Sequence, residues 1–133
     1  MSYAVKTKVE EGQTQSDIRQ LLMKFGASSF AFGEESQLGI VMFEYKKKRI
    51  RFTIPLSDDG QERRSKWRAL LLAIKSKLVT VETGIATFEQ EFLAHVIIDG
   101  RSVGDILIPQ IEDMARTGKY VPLLLGLTSP NDQ

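Results

Sequence analysis

The sequence predicts an α+β domain in which a small antiparallel three-stranded sheet packs against helices, in the order α-β-β-β-α-α-α. Two observations predict this class. Apolar residues recur at the helical period over residues 14–25 and about 62–82, and at every second position over much of residues 28–55. A run of strands with helices before and after it gives a sheet covered on one face by helices.

The first element is predicted to be a helix that begins at Thr14, with Asp17 three residues later as a weak capping box. Gly26 is a suitable end, because glycine accepts the left-handed conformation that closes helices. Residues 1–12 look extended and polar, and we expect a loose N-terminal arm or an edge strand there. The apolar stripe of the helix consists of Ile18, Leu21, Leu22 and Phe25.

Three strands follow, over residues 28–33, 38–45 and 49–55, joined by short polar links. The middle run is apolar on both faces, as a central strand is. In the last run Ile50, Phe52 and Ile54 point one way, and Arg49, Arg51 and Thr53 point the other. The pattern is typical of an antiparallel meander.

The helical part begins with a long helix over about residues 62–82, in which Trp67 is expected to be buried against the sheet. Thr87 and Gln90 form a capping-box pair that opens a second helix. The chain then becomes extended before an Asp99-Gly100 turn, and Ser102 with Asp105 caps a last helix that Pro109 should kink or restart. Gly118 ends it, and residues 119–133 form a tail or strap.

Composition excludes several classes of protein. The 133 residues suit one domain over 1–133, and the net charge of +1 excludes a global polycation. The absence of cysteine excludes disulfides and thiolate metal sites. No stretch resembles a signal peptide or a membrane span. We expect a soluble protein of the bacterial host cytoplasm, without a cofactor or a metal, and we favour a non-enzymatic protein over an enzyme.

Basic residues are concentrated in two places. The first is the hairpin between the second and third strands, and the second is one stripe of the long helix. Either set could contact phosphates. For the hairpin, the alternative is protection of an exposed strand edge. For the stripe, one alternative is that the aliphatic parts of these side chains pack beside the sheet edge with their charged ends in water. The other is that they pair with acids such as Glu44 or Asp58. The candidate anion-binding residues are Lys46, Lys47, Lys48, Arg49, Arg51, Arg64, Arg68 and Lys75.

Three other chemistries are weaker alternatives. The α-β-β-β-α order occurs in double-stranded-RNA-binding domains, but their basic cluster and aromatic spacing are missing. Glu44 and Lys46, with Glu34 or Glu35, could form a nuclease site. Glu91 and His95 could supply two metal ligands, although a closed site needs three or four. No Ser-His-Asp arrangement and no phosphate-loop spacing is apparent.

Two stretches, DIRQLLMKFGASSFAF and the segment from WRALLLAIKSKL to DGRSVGDILIPQIEDM, resemble a family of small reading frames in tailed-phage and prophage genomes. The resemblance covers about residues 16 to 125. Its TFEQEFLAH and DGRSVGD segments are the most specific part. It implies a phage or mobile-element accessory protein. It implies no activity, and it assigns no functional residues.

The sequence therefore favours a non-enzymatic accessory protein that binds nucleic acid through the basic hairpin and the helix stripe, with Tyr45 available for base stacking. The alternative is an anti-defence protein that blocks a host protein or sequesters a nucleotide signal. The apolar tail from Val121 to Leu127 also indicates docking on the protein's own core or association with a second copy.

Overall fold

The fold is an α+β arrangement of four helices, a three-stranded antiparallel sheet and a small second hairpin, as seen in a computed structural model. The structure describes residues 3–124, with side chains from Lys8 onward. The helices are α1 (Tyr3–Phe25), α2 (Gly60–Glu82), α3 (Phe88–Phe92) and α4 (Val103–Thr117). The strands are β1 (Ser28–Glu35), β2 (Leu38–Tyr45), β3 (Lys48–Pro55), β4 (Ile97–Ile98) and β5 (Arg101–Ser102). The predicted fold class is confirmed.

The N-terminal segment departs from the prediction, because residues 3–12 are helical and neither an arm nor an edge strand. Thr14 does not cap a helix. Its hydroxyl donates a hydrogen bond to the Glu10 carbonyl one turn earlier, at 3.2 Å, and the helix runs through it. Glu11 is buried. The amphipathic helix is therefore longer than its apolar stripe indicates.

The sheet has the order β1-β2-β3, and its register pairs Val41 with Phe52 and Phe43 with Ile50. These four side chains form the buried face. Arg49, Arg51 and Thr53 lie on the opposite face, as the alternation predicts. Helices α1 and α2 pack side by side and cover the buried face.

Both helices run in the same direction along the sheet. Arg63, in the first turn of α2, contacts Glu11 of α1 and Glu34 near the end of β1. At the far end, the rings of Phe25 and Tyr45 lie 4.9 Å apart. The turn between β1 and β2 therefore lies beside the start of α2, and the turn between β2 and β3 lies beside the end of α1.

Trp67 lies at the centre of the interface between α2 and the sheet, with 1% of its surface exposed, which confirms its predicted burial. Gly39 makes room for it. A Cβ at position 39 would lie 3.0 Å from side-chain atoms of Ile54, Leu56 and Trp67, so a larger residue would force these side chains to shift. The Trp67 indole N–H has no hydrogen-bond partner among the described residues.

The predicted capping box at Thr87 is present, with Gln90 donating its backbone N–H to Thr87 and accepting from the Thr87 N–H. Ser102 likewise caps α4. Between them a 3₁₀ turn (Leu93–His95) leads into the β4–β5 hairpin, which lies beside β3 through a bridge between Ile50 and Val96.

The last helix continues through Pro109 without restarting. Proline removes one hydrogen bond, to the carbonyl of Asp105. Asp105 is exposed, so water can take that place. Gly118 ends the helix with a φ of 73°, as predicted.

The strap after α4 contains neither helix nor strand in its described part, and the prediction that it docks on the protein's core is wrong there. Val121, Leu123 and Leu124 expose 44–68% of their surface. The strap is held along α4 by Gln110, whose side-chain amide bonds the backbone N–H and carbonyl of Leu124. Leu125 and Leu127 lie outside the described residues.

Candidate nucleic-acid interface

The turn between β2 and β3 consists of two lysines in an unusual conformation. Lys46 and Lys47 have φ values of 48° and 68°. Two successive positive φ values are the signature of the type I′ hairpin turn, which normally contains Asn-Gly or another glycine pair because other residues are strained there. Both lysine side chains are exposed. The turn therefore holds two cations at the tip of the hairpin at a conformational cost.

A second hairpin tip lies next to the first. The Asp99-Gly100 turn also has two positive φ values. The Arg51 guanidinium donates a hydrogen bond to the Gly100 carbonyl at 3.5 Å. A shallow groove of about 670 Å³ separates the two tips, and it is lined by Glu44, Lys47, Lys48, Arg49, Val96, Ile97, Asp99 and Gly100. We call this the hairpin groove.

Cations outnumber acids around the hairpin groove. Lys48 pairs with Glu89 at 3.4 Å and Arg49 with Glu44 at 3.8 Å. The pKa of Glu89 lies below its usual value, because its carboxylate accepts a hydrogen bond from its own backbone N–H and from Lys48. Among the described residues, Lys46, Lys47 and Arg51 have no ion pair. The basic residues of this end are Lys46, Lys47, Lys48, Arg49, Arg51 and Arg101.

Arg64, Arg68 and Lys75 lie elsewhere, so the hairpin and the helix stripe do not form one surface. Arg64 pairs with Glu10 of α1 at 2.8 Å. A separate groove of about 240 Å³ between α1 and α2 is lined by Glu10, Gln13, Thr14, Asp17, Arg64 and Arg68. Lys75 follows Arg68 by seven residues and lies within about 20° of it around the helix axis.

The stripe therefore borders acidic residues on the helical side of the sheet, whereas Arg49 and Arg51 lie on the opposite face. Of the three interpretations of the stripe, pairing with an acid applies to Arg64, but its partner is Glu10 and neither Glu44 nor Asp58. The groove that Arg68 lines contains two carboxylates, Glu10 and Asp17, and so is a poor site for an anion.

Tyr45 is not available for base stacking. Its ring lies 4.9 Å from the Phe25 ring and 4.4 Å from the Phe88 ring, and the Lys46 ammonium lies 5.4 Å from its centre. The interpretation of Tyr45 as a stacking platform is therefore wrong. Packing between two aromatic rings of the core explains its half-buried state instead.

The residues proposed for a nuclease are also far apart. Glu34 pairs with Gly39 in the sheet and Glu44 pairs with Ser28. These positions are five residues apart on β2, or about 17 Å along the strand. The guanidinium of Arg63 bonds Glu34 and holds the pKa of that carboxyl below its usual range. Glu35, the other candidate acid, pairs with Leu38, one position farther from Glu44. Both acids that could complete the site thus lie at the other end of the sheet.

His95 and Glu91 do not form a metal site. The His95 ring stacks on Phe52, with ring centres 4.0 Å apart, and Glu91 pairs with Lys77 at 3.7 Å. No group of three or more possible metal ligands occurs among residues 3–124. Burial and the nearby Lys77 charge lower the pKa of His95.

Sequence reasoning missed two residues of the hairpin groove's surroundings. Arg101 and Asp99 reach this end because Val96 bridges to Ile50, a contact between residues 46 positions apart in the chain. The sequence shows the Asp99-Gly100 turn, but it does not show that the hairpin containing this turn lies beside β3.

No helix within the described range has the length and apolar character needed to cross a bilayer. Comparisons of the chain with protein-family models, with curated proteins and with solved structures find no match.

Proposed function

We propose that this protein is a non-enzymatic accessory protein of a phage or mobile element that binds nucleic acid at the hairpin groove. The observation that carries the proposal is the Lys46-Lys47 turn. Strained backbone conformations persist where function requires the side chains that impose them. Here a turn that favours Asn-Gly holds two exposed lysines beside Lys48, Arg49 and Arg51.

Binding at this surface is electrostatic and weakly dependent on base sequence. Lys46, Lys47 and Arg51 supply charges for backbone phosphates, and Val96 and Ile97 supply apolar surface in the groove for sugars. The half-buried Tyr45 ring packs against Phe25 and Phe88, which removes the aromatic platform suggested for single-strand recognition. The helix stripe of Arg64, Arg68 and Lys75 takes no part.

The alternative of a nucleotide-sequestering anti-defence protein has less support. Nucleotide pockets are concave and enclose most of the ligand. The hairpin groove is shallow, and no aromatic ring lines it. An extended polyanion that crosses the groove fits this shape better than a small molecule does.

The test measures binding of a labelled 20-nucleotide single strand and of the matching duplex by fluorescence anisotropy at several salt concentrations. The main variant is Lys46→Asn/Lys47→Gly, which relaxes the turn and removes two charges. We expect the log–log salt slope to fall by about 1.4 to 1.8, since each lost phosphate contact removes about 0.7 to 0.9. Competition with a mononucleotide tests the alternative function.

Two matched controls separate charge from conformation. Ser36→Asn/Gln37→Gly relaxes the other non-glycine turn, where φ is 50° and 62°, and should leave binding unchanged. Both turn variants should be stabilised by roughly 1 kcal/mol. Arg68→Ala/Lys75→Ala removes two exposed charges from the helix stripe and should leave the slope unchanged. The proposal fails if the wild type does not bind at low salt, or if the lysine variant keeps the wild-type slope.

A further inference from the structure

The last helix and the strap present an apolar surface that nothing in the described chain covers. Helix α4 packs through its first turn, where Val103, Gly104 and Ile106 are buried against the 3₁₀ turn and β5. Beyond that turn it extends away from the core. Ile108 and Ile111 each expose 49% of their surface.

The exposed apolar side chains of this surface lie on one stripe of α4 and on the strap anchored next to it. Ile108, Ile111 and Ala115 lie within about 60° of one another around the helix axis. The strap is anchored along one edge of this stripe, because Gln110 bonds the backbone of Leu124 and the Val121 N–H donates to the Met114 sulfur at 3.4 Å. Met114 and Gln110 lie about 60° and 100° from Ile111 around the helix axis. We define the α4–strap face as Ile108, Ile111, Tyr120, Val121, Leu123 and Leu124.

We propose that the α4–strap face is the interface of a two-fold symmetric homodimer, in which the α4 helices of two copies pack antiparallel. Its area fits a stable dimer. The exposed fractions of the six side chains, from 44% to 85%, correspond to roughly 700 Å² per copy, or roughly 1,400 Å² in total, within the 1,200–2,000 Å² range of specific interfaces.

The charges beside this face fit a second copy in the antiparallel orientation. Asp105, Glu112 and Arg116 line one edge of the apolar stripe, within about 40° of one another around the helix. In an antiparallel pair centred near Ile111, Asp105 of each copy lies opposite Arg116 of the other, which also pairs with Asp113 of its own helix. A parallel pair would place these edges on opposite sides of the helix contact, where the two charges could not pair across it. The same patch is thus self-complementary, as a two-fold interface requires.

The test is the mass of the full chain by light scattering between about 5 and 200 µM. We expect twice the 15.0 kDa of one chain. Ile108→Glu/Ile111→Glu should weaken association by at least about 100-fold, because it places charges in the apolar contact. The matched control is Leu72→Glu/Val79→Glu, which alters two apolar residues of α2 that expose 64% and 48% of their surface. This control should remain dimeric.

A charge exchange tests the orientation. Asp105→Arg should weaken the dimer several-fold and Asp105→Arg/Arg116→Asp should restore it, because the opposite pairs are re-formed across the interface. Circular dichroism verifies that each variant folds. A wild type that stays monomeric at every concentration overturns the proposal, whether residues 125–133 or another protein cover the face. A dimer that survives Ile108→Glu/Ile111→Glu, or that the α2 control disrupts, also overturns it.

Discussion

His95 is a candidate pH-sensitive group of the core, because it is the single histidine of the chain and its ring packs on Phe52. Lys77 of α2 is the cation that acts on it, whereas a hydrogen bond with the Arg51 backbone opposes this effect. Arg51 and Asp105 of α4 line the same cavity. Removal from water and the Lys77 charge both disfavour the imidazolium. Folding therefore lowers the pKa of His95 and favours the neutral ring.

This pKa shift predicts how stability depends on pH. The unfolded chain binds a proton on His95 at a higher pH than the folded chain does. The stabilisation is complete above the unfolded pKa of about 6.5 and is lost as the pH falls from there through the folded pKa. We expect the free energy of unfolding, measured in urea, to decline between pH 7.5 and 5.5.

His95→Phe is the control, since its ring can stack on Phe52 without titrating. It should have a flatter pH dependence over the same interval, in which most carboxylates remain ionised. Parallel curves for the wild type and His95→Phe would show that another group causes the decline.

Arg63 connects three elements that the sequence leaves unconnected. From α2 its guanidinium bonds Glu11 of α1 at 3.0 Å, Glu34 of β1 and the Ser57 carbonyl at 3.1 Å. These bonds raise the pKa of Arg63 above its already high value. Glu11 is buried, whereas the Glu34 side chain is 45% exposed. Loss of Arg63 should therefore cost more free energy at the buried Glu11 carboxylate than at the exposed Glu34 carboxylate.

We expect Arg63→Met to destabilise the fold by about 3 kcal/mol, because it leaves Glu11 charged and buried without its partner. Glu34→Gln should cost less than about 1 kcal/mol, as exposed pairs contribute little. Glu11→Met/Arg63→Met should recover most of the loss, since an apolar pair can replace a buried ion pair. Urea unfolding of the three variants measures this order. A double variant no more stable than Arg63→Met would contradict the explanation.

The sequence predicts those elements whose signals are local. Strand alternation, the capping box at Thr87, the N-cap at Ser102 and the glycine at the end of α4 all involve neighbouring residues, and all are confirmed. The start of α1 was missed because Thr14 is equally suited to cap a helix or to bond a carbonyl within one. The choice depends on the contact between Glu11 and Arg63, 52 residues apart.

The candidate site could be predicted only in part, for the same reason. The basic hairpin is local and was found. Its separation from Arg64 and Arg68 depends on how α2 is rotated against α1, and the second hairpin tip depends on the bridge to Ile50. Neither contact has a signal in the spacing of nearby residues, because both form between distant parts of the chain.

The assembled molecule has two exposed surfaces of opposite character. The hairpin groove is basic and lies at one end of the sheet. The α4–strap face is apolar and belongs to a helix that joins the rest of the fold through its first turn. A change in one surface should leave the other intact, so charge variants of the hairpin and apolar variants of α4 can be interpreted separately.

Because Trp67 is buried, hydrogen exchange at its indole N–H should report on global unfolding. Its indole N–H is sealed between α2 and the sheet and has no acceptor among the described residues. Solvent deuterium can reach this proton only when α2 separates from β2, so its exchange should require nearly the full free energy of unfolding. Proton NMR in D₂O should show one indole signal that persists as long as the slowest backbone amides. A signal lost within minutes, while those amides remain, would mean that α2 opens locally.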